Sequence, residues 1–159
     1  MSGNQVSYVD FDLHISPQGH IIANSIQGQA EADIAIDVPN SIRLALKLVE
    51  KDQTDADLLK ELGRELYEWL FPVAIHTHLH QTEAAARVQG AGLRLRLRIE
   101  PETIARLPLE FLYRPSGDYF IATHPDTVLS RYLNLPLPPE RVRRHSGPLH
   151  LLALIAAPE

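Results

Sequence analysis

GLRLRLRIEPETIARLPLEFLYRPSGDYFIATHPDTVLSRY, residues 92–132, is the stretch whose reading decides the fold. It opens with strict alternation: Leu93, Leu95, Leu97 and Ile99 on one side, Arg94, Arg96, Arg98 and Glu100 on the other. A period of two fits a strand with one buried face and one wet face. Pro101 stops that strand and can start a short helical turn, and Pro108 sits at the start of a second turn within residues 107–113. After the turn residues 114–118, two short apolar runs at 119–122 and 128–132 are split by His124, Pro125 and Asp126 and read as a hairpin.

Working outward toward the start, Val9, Phe11, Leu13 and Ile15 alternate with Tyr8, Asp10, Asp12 and His14, which predicts a strand with one wet face. Ser16, Pro17, Gln18 and Gly19 supply a turn, and residues 20–26 return as a second strand. Ala30, Ala32, Ile34, Ile36 and Val38 alternate with polar residues and predict a third. The result is a small antiparallel meander, acidic on its outer face, which needs a cover because two or three strands alone are marginal in water. A helix from Pro39-Asn40-Ser41, with Ile42, Ala45, Leu46 and Val49 at helical spacing, is the expected cover. Thr54 and Asp57 offer a start for a second helix, whose stripe is Leu58, Leu62, Leu66, Trp69 and Leu70 and which Pro72 ends. Gly63 inside it lowers helix propensity by about 1 kcal/mol, and close packing against a neighbour is the expected reason. A third helix runs from Pro72 to Val88 and closes at Gly90-Ala91-Gly92.

Outward in the other direction, residues 134–148 carry four of the twelve prolines and Arg141, Arg143 and Arg144, the pattern of a semi-rigid surface connection. Residues 149–157 (LHLLALIAA) are apolar on both faces, as in a central parallel strand. Leaving their five Leu and Ile side chains in water would forfeit roughly 8 to 15 kcal/mol, at 1.5 to 3 each. The expected organisation is therefore residues 1–53 as meander plus helix, 54–133 as a helical pair and first strands, 134–148 as linker and 149–159 as a buried core strand. The run ends where a parallel sheet would continue, so the sequence reads as the front part of a longer design, or as one that buries this strand against a second copy.

Composition narrows the function. At 159 residues, 45% hydrophobic and 22% charged, the chain can bury one ordinary core. It lacks an apolar run long enough for a membrane span and a signal-peptide pattern at its start, so a cytoplasmic protein without a membrane partner is expected. The absence of Cys excludes disulfides, thiolate metal sites and a Cys nucleophile within these residues. The net charge of −5 and the lack of aromatic residues among the Arg cluster disfavour nucleic acid as a partner.

The order of LRLRL, then Leu107-Pro108-Leu109-Glu110-Phe111-Leu112-Tyr113, a Gly turn, Phe120-Ile121-Ala122 and a strand ending Arg131-Tyr132 resembles the opening of the CHAT domain. That family comprises caspase-like cysteine peptidases related to separase. The resemblance continues through residues 133–136 and 149–158, reaches back in looser form to residues 62–67, and covers roughly residues 57–159. One position departs: the family usually has Trp where this chain has Leu109. The resemblance implies an α/β fold, the front part of a caspase-like α/β/α sheet domain preceded by the antiparallel meander with its helices. It implies a scaffold motif of Leu107, Pro108, Glu110, Tyr113 and Arg131. The family's catalytic His and Cys follow later strands and map onto no position here; His124, His145 and His150 are not that His. A non-catalytic scaffold or regulatory portion is thus implied, with protein partners: a downstream catalytic segment, a regulator, or a second copy through the terminal strand.

Two other readings come from the residues themselves. One is a free-standing interaction and oligomerisation module. The other is a metal-dependent hydrolase: in His76-Thr77-His78-Leu79-His80, a helix places His76 and His80 one turn apart, where they could hold a divalent metal, although an ordinary polar helix face has the same pattern. Zinc wants three or four ligands, and Glu83 is poorly placed to complete the pair. No phosphate-binding glycine loop or G-x-S-x-G elbow occurs, and no cofactor is expected. Glu110 and Asp118 could be taken for a carboxylate pair, but a scaffold role for Glu110 in the 107–113 turn is the expectation.

Overall fold

The structure, a computed structural model, describes residues 7–51 and 55–132. Tyr8–Ile15 (β1), His20–Ser25 (β2) and Gly28–Asp33 (β3) form the expected antiparallel meander. The third strand stops at Asp33, short of Val38, because β2 begins at His20, the partner of Asp33. Ile34 still reaches the Gly19 carbonyl with its N–H, at 2.9 Å, and beyond it no strand is left to pair with.

The meander is one flank of a larger sheet. The Arg-alternating strand Gly92–Ile99 (β4) lies parallel to β1 in register Tyr8↔Gly92 through Ile15↔Ile99. Thr127–Tyr132 (β7) lies parallel to β4 from Leu93↔Thr127 to Arg98↔Tyr132. The five-stranded order is β3-β2-β1-β4-β7. Here the sequence expectation needs correcting: the run 128–132 does not pair with 119–122. The hairpin instead joins Tyr113–Arg114 (β5) to Tyr119–Phe120 (β6), across the 114–118 turn. Asp118 takes the left-handed conformation there (φ 54°), which Asp tolerates better than most residues. An apolar run of five residues fits either partner, and the pattern alone does not choose.

Helices Asn40–Glu50 (α1), Ala56–Leu70 (α2) and Val73–Val88 (α3) match the expected ones. The α2 cap is Asp55, whose carboxylate accepts from the Leu58 N–H at 2.8 Å; Thr54 lies outside the described residues. The other short elements are Glu102–Ala105 (α4) and the 3-10 turns Leu109–Phe111 and Ile121–Thr123.

One cluster of buried residues spans sheet and helices: Phe11, Leu13 and Ile15 from β1, Leu93, Leu95 and Leu97 from β4, Ile42, Leu62, Leu66, Leu70, Ile75 and Leu79 from the helices. Among the described residues the helices cover this one face of the sheet, so the described architecture is two-layered and mixed α/β. On the opposite face Arg94 pairs with Asp10 at 2.6 Å and Arg96 pairs with Asp10 and Asp12, cross-strand contacts that suit a wet surface. Gly63 is where α2 meets the 3-10 turn and β5: a Cβ there would sit 2.1 Å from the Phe111 carbonyl oxygen and 2.7 Å from the Tyr113 Cβ. The close packing expected of this glycine is present.

Candidate functional site

Of the five motif residues, Leu107, Glu110 and Arg131 meet at one joint. Leu107 is buried and turns the chain after α4, and Pro108 precedes the 3-10 turn in which Leu109 is fully buried in the common core. A Leu at this position fills the interior without an indole N–H to satisfy. Arg131, on the core side of β7, donates to the Leu107 carbonyl at 2.7 Å, to the Ala105 carbonyl at 3.1 Å and to Glu110 Oε2 at 3.2 Å. One guanidinium thus ties an edge strand to the end of α4 and to the turn after it, using its fork of donors. Glu110 takes part in this clamp through Oε2. Tyr113 turns the other way: its hydroxyl donates to Asp118, which also receives Lys60 Nζ at 3.0 Å. The Tyr113 hydrogen bond and then Lys60 hold the Asp118 carboxyl below the usual range. Glu110 and Asp118 therefore serve separate contacts and form no carboxylate pair.

The histidines of α3 divide by helical phase. His78 is buried against the sheet, with Nε2 3.1 Å from Ser25 Oγ and its ring 5.5 Å from the Phe11 ring. His76 and His80 lie on another face, their Nε2 atoms 3.0 Å apart. Beside His80 is a residue that the sequence reading passed over. Arg114 in β5, 4% exposed, forms an ion pair with Glu83 and donates to Ser116 Oγ at 3.2 Å and the Tyr119 hydroxyl at 3.0 Å. Its Nη2 also lies 2.9 Å from His80 Nδ1. Burial works against the Arg114 charge, but the Glu83 hydrogen bond and charge outweigh it and raise its pKa. Burial, then Arg114, then His76 push the His80 pKa below its ordinary value. Burial raises that of Tyr67, whose hydroxyl has no hydrogen-bond partner among the described residues.

This centre is a cation buried against an anion, with two imidazoles on its rim. A divalent metal between His76 and His80 would sit beside the Arg114 guanidinium, whose charge repels it. Among the described residues no group of three or more His, Asp or Glu side chains is arranged to hold a metal. Glu83, the nearest carboxylate in the sequence reading, is committed to Arg114. No local pattern marks Arg114 as buried, since an Arg beside Pro, Ser and Gly reads as a solvated turn.

The carboxyl ends of β1, β4 and β7 share one edge, and on the open face there a shallow pocket of about 470 Å³ is lined by Asp12, His14, Asn24, Arg96, Arg98 and Tyr132. His14 Nε2 donates to Glu100 Oε1 at 2.8 Å and Arg98 meets the same oxygen at 3.1 Å. The His14 hydrogen bond, opposed by some burial, keeps the Glu100 carboxyl below its usual range. The Arg cluster at 141, 143 and 144, His145, the linker and the apolar run 149–157 lie outside the described residues. No described helix is long and apolar enough to cross a membrane. Against known protein families, curated proteins and solved structures, the chain finds no match.

Proposed function

We propose that this chain is the non-catalytic supporting portion of a CHAT-type, caspase-like cysteine peptidase, and that its sheet and helices hold a catalytic segment supplied after residue 159. The observation that carries this reading is the Arg131 clamp. The residues that make the resemblance, Leu107, Glu110 and Arg131, act together as one joint between β7 and the turn after α4. Parallel strands β1, β4 and β7 support it further, since catalytic groups of such sheets gather beyond the strands' carboxyl ends. A chain without Cys contributes position, not a nucleophile. The caspase-like α/β/α arrangement, with a further layer on the open face, and a cytoplasmic location belong to this proposal.

The coding region that follows Glu159 tests the reading. A frame that continues into apolar strands, with a His and then a Cys at strand ends, is the expected result. A stop codon directly after Glu159 would overturn it.

A further inference from the structure

Helix α1 carries apolar residues on two sides. Ile42 is buried, and Ala45, Leu46 and Val49 pack with it against the common core. Leu44 and Leu48, one turn apart, lie on the other side and are 63% and 39% exposed, so the core makes little use of them. Beside them runs an exposed row of cations, Arg43, Lys47 and the capping residue Lys51, spaced four residues apart. These are three of the five Lys and Arg in residues 1–79, and the other two, Lys60 and Arg64, pair with Asp118 and Glu61. Arg43 donates to Asn40 Oδ1 at 2.8 Å, but among the described residues no carboxylate pairs with any cation of the row. Glu50, the one acid in α1, falls on the far side of the row from the leucines.

We propose that the outer face of α1 docks an acidic amphipathic helix of a partner protein. The partner's apolar residues, one turn apart, meet Leu44 and Leu48, and its carboxylates meet Arg43, Lys47 and Lys51. Charge selects this occupant. A second copy packed face to face on the same helix would set two cationic rows against each other, and like charges repel. An anionic membrane would attract the row but repel the rest of a chain whose net charge is −5, and two leucines give it little to insert. A helix with carboxylates beside its leucines neutralises the row and covers the apolar pair in one contact, the mode in which an amphipathic helix lays its apolar face on a partner. The inner side of α1 is already held by the core, so the docking face is preformed. The inference stands on α1 alone and holds whether or not a catalytic segment follows.

A fluorescent synthetic peptide of four Leu-Glu-Ala-Ala repeats, titrated with the full chain and followed by anisotropy, tests it. Saturable binding with a Kd of about 0.1 mM, in the weak range of a small interface, is expected. Arg43→Glu combined with Lys47→Glu should weaken it roughly tenfold, and should bind a counterpart of four Leu-Lys-Ala-Ala repeats roughly tenfold more tightly than the unaltered chain does. Leu44→Ser combined with Leu48→Ser should weaken the acidic peptide roughly fivefold. No saturable binding of the acidic peptide up to about 1 mM would overturn the proposal. A charge-reversed variant that treats both peptides as the unaltered chain does, or a leucine variant that binds undiminished, would overturn it too. Preference for vesicles of one part phosphatidylserine to three parts phosphatidylcholine over the peptide would overturn it in favour of a membrane contact. Circular dichroism of each variant confirms that the fold is intact.

Discussion

Substituting Glu83 with Gln should be among the most damaging single changes in this protein, although the shape of the side chain hardly alters. Arg114 is 4% exposed and Glu83 12%, so the pair is held out of water, and among the described residues Arg114 has no second carboxylate in contact. Removing one partner of a buried pair leaves an uncompensated charge, at about 3–5 kcal/mol. Gln keeps an acceptor, and Ser116, Tyr119 and His80 still bond the guanidinium, so the lower end, about 3 kcal/mol, is expected. That is a large share of the roughly 5–15 kcal/mol typical of a domain. In urea, with a slope of about 1–3 kcal/mol per molar, the unfolding midpoint should fall by about 1–3 M. The double variant Glu83→Leu with Arg114→Leu removes both charges, and should recover at least half of the loss, since apolar replacement of a buried pair is often neutral. A Glu83→Gln loss below about 1 kcal/mol, or a double variant as weak as the sum of its singles, would refute the reasoning.

Further expectations follow from the same contacts. Gly63→Ala gains about 1 kcal/mol of helix propensity but drives a methyl into the Phe111 carbonyl oxygen, so unfolding should show a net loss of about 1–2 kcal/mol; a stabilised variant would contradict the packing. Arg131→Ala frees the Ala105 and Leu107 carbonyls. Because the side chain is 38% exposed, its loss should be limited to about 1–2 kcal/mol, with faster amide exchange in β7 and residues 104–109. His80, depressed in the folded state, binds its proton more readily when unfolded. Stability should therefore begin to fall as pH drops through the ordinary His value of 6.5, and His80→Gln should remove that slope. Asp10, lowered chiefly by the Arg94 hydrogen bond, and Glu100, by His14, contribute above their unfolded values of 3.8 and 4.5. Their contribution is lost only as pH falls through those values and below, a separate acid limb in a urea titration against pH.

The local elements were legible in the sequence because alternation and helical spacing report which face of each element is buried. Val9 to Ile15 and Leu93 to Ile99 announce strands, and Leu58 to Leu70 a helix. The partner of a strand is a long-range fact that such patterns do not carry. One signal was present and unused: Asp10 and Asp12 alternate on β1 as Arg94 and Arg96 do on β4, and the parallel register sets these opposite charges side by side. The β5–β6 hairpin was missed because the 119–122 and 128–132 runs both carry residues that suit a strand, and nothing in either pattern names its partner. The clamp residues were named from the motif, but the partners of Arg131 are mostly backbone carbonyls, which no residue pattern identifies. Arg114 was invisible because its burial depends on α2, α3 and the hairpin meeting around it.

The central claim is that these residues position chemistry performed elsewhere in the same protein. Peptide-hydrolysis assays on the chain alone and on the product of the full reading frame that contains it test this most directly. The account predicts no turnover by residues 1–159 and an iodoacetamide-sensitive peptidase in the longer product. Cleavage by the chain alone, or a longer product without thiol-dependent activity toward any protein or peptide substrate, would contradict it.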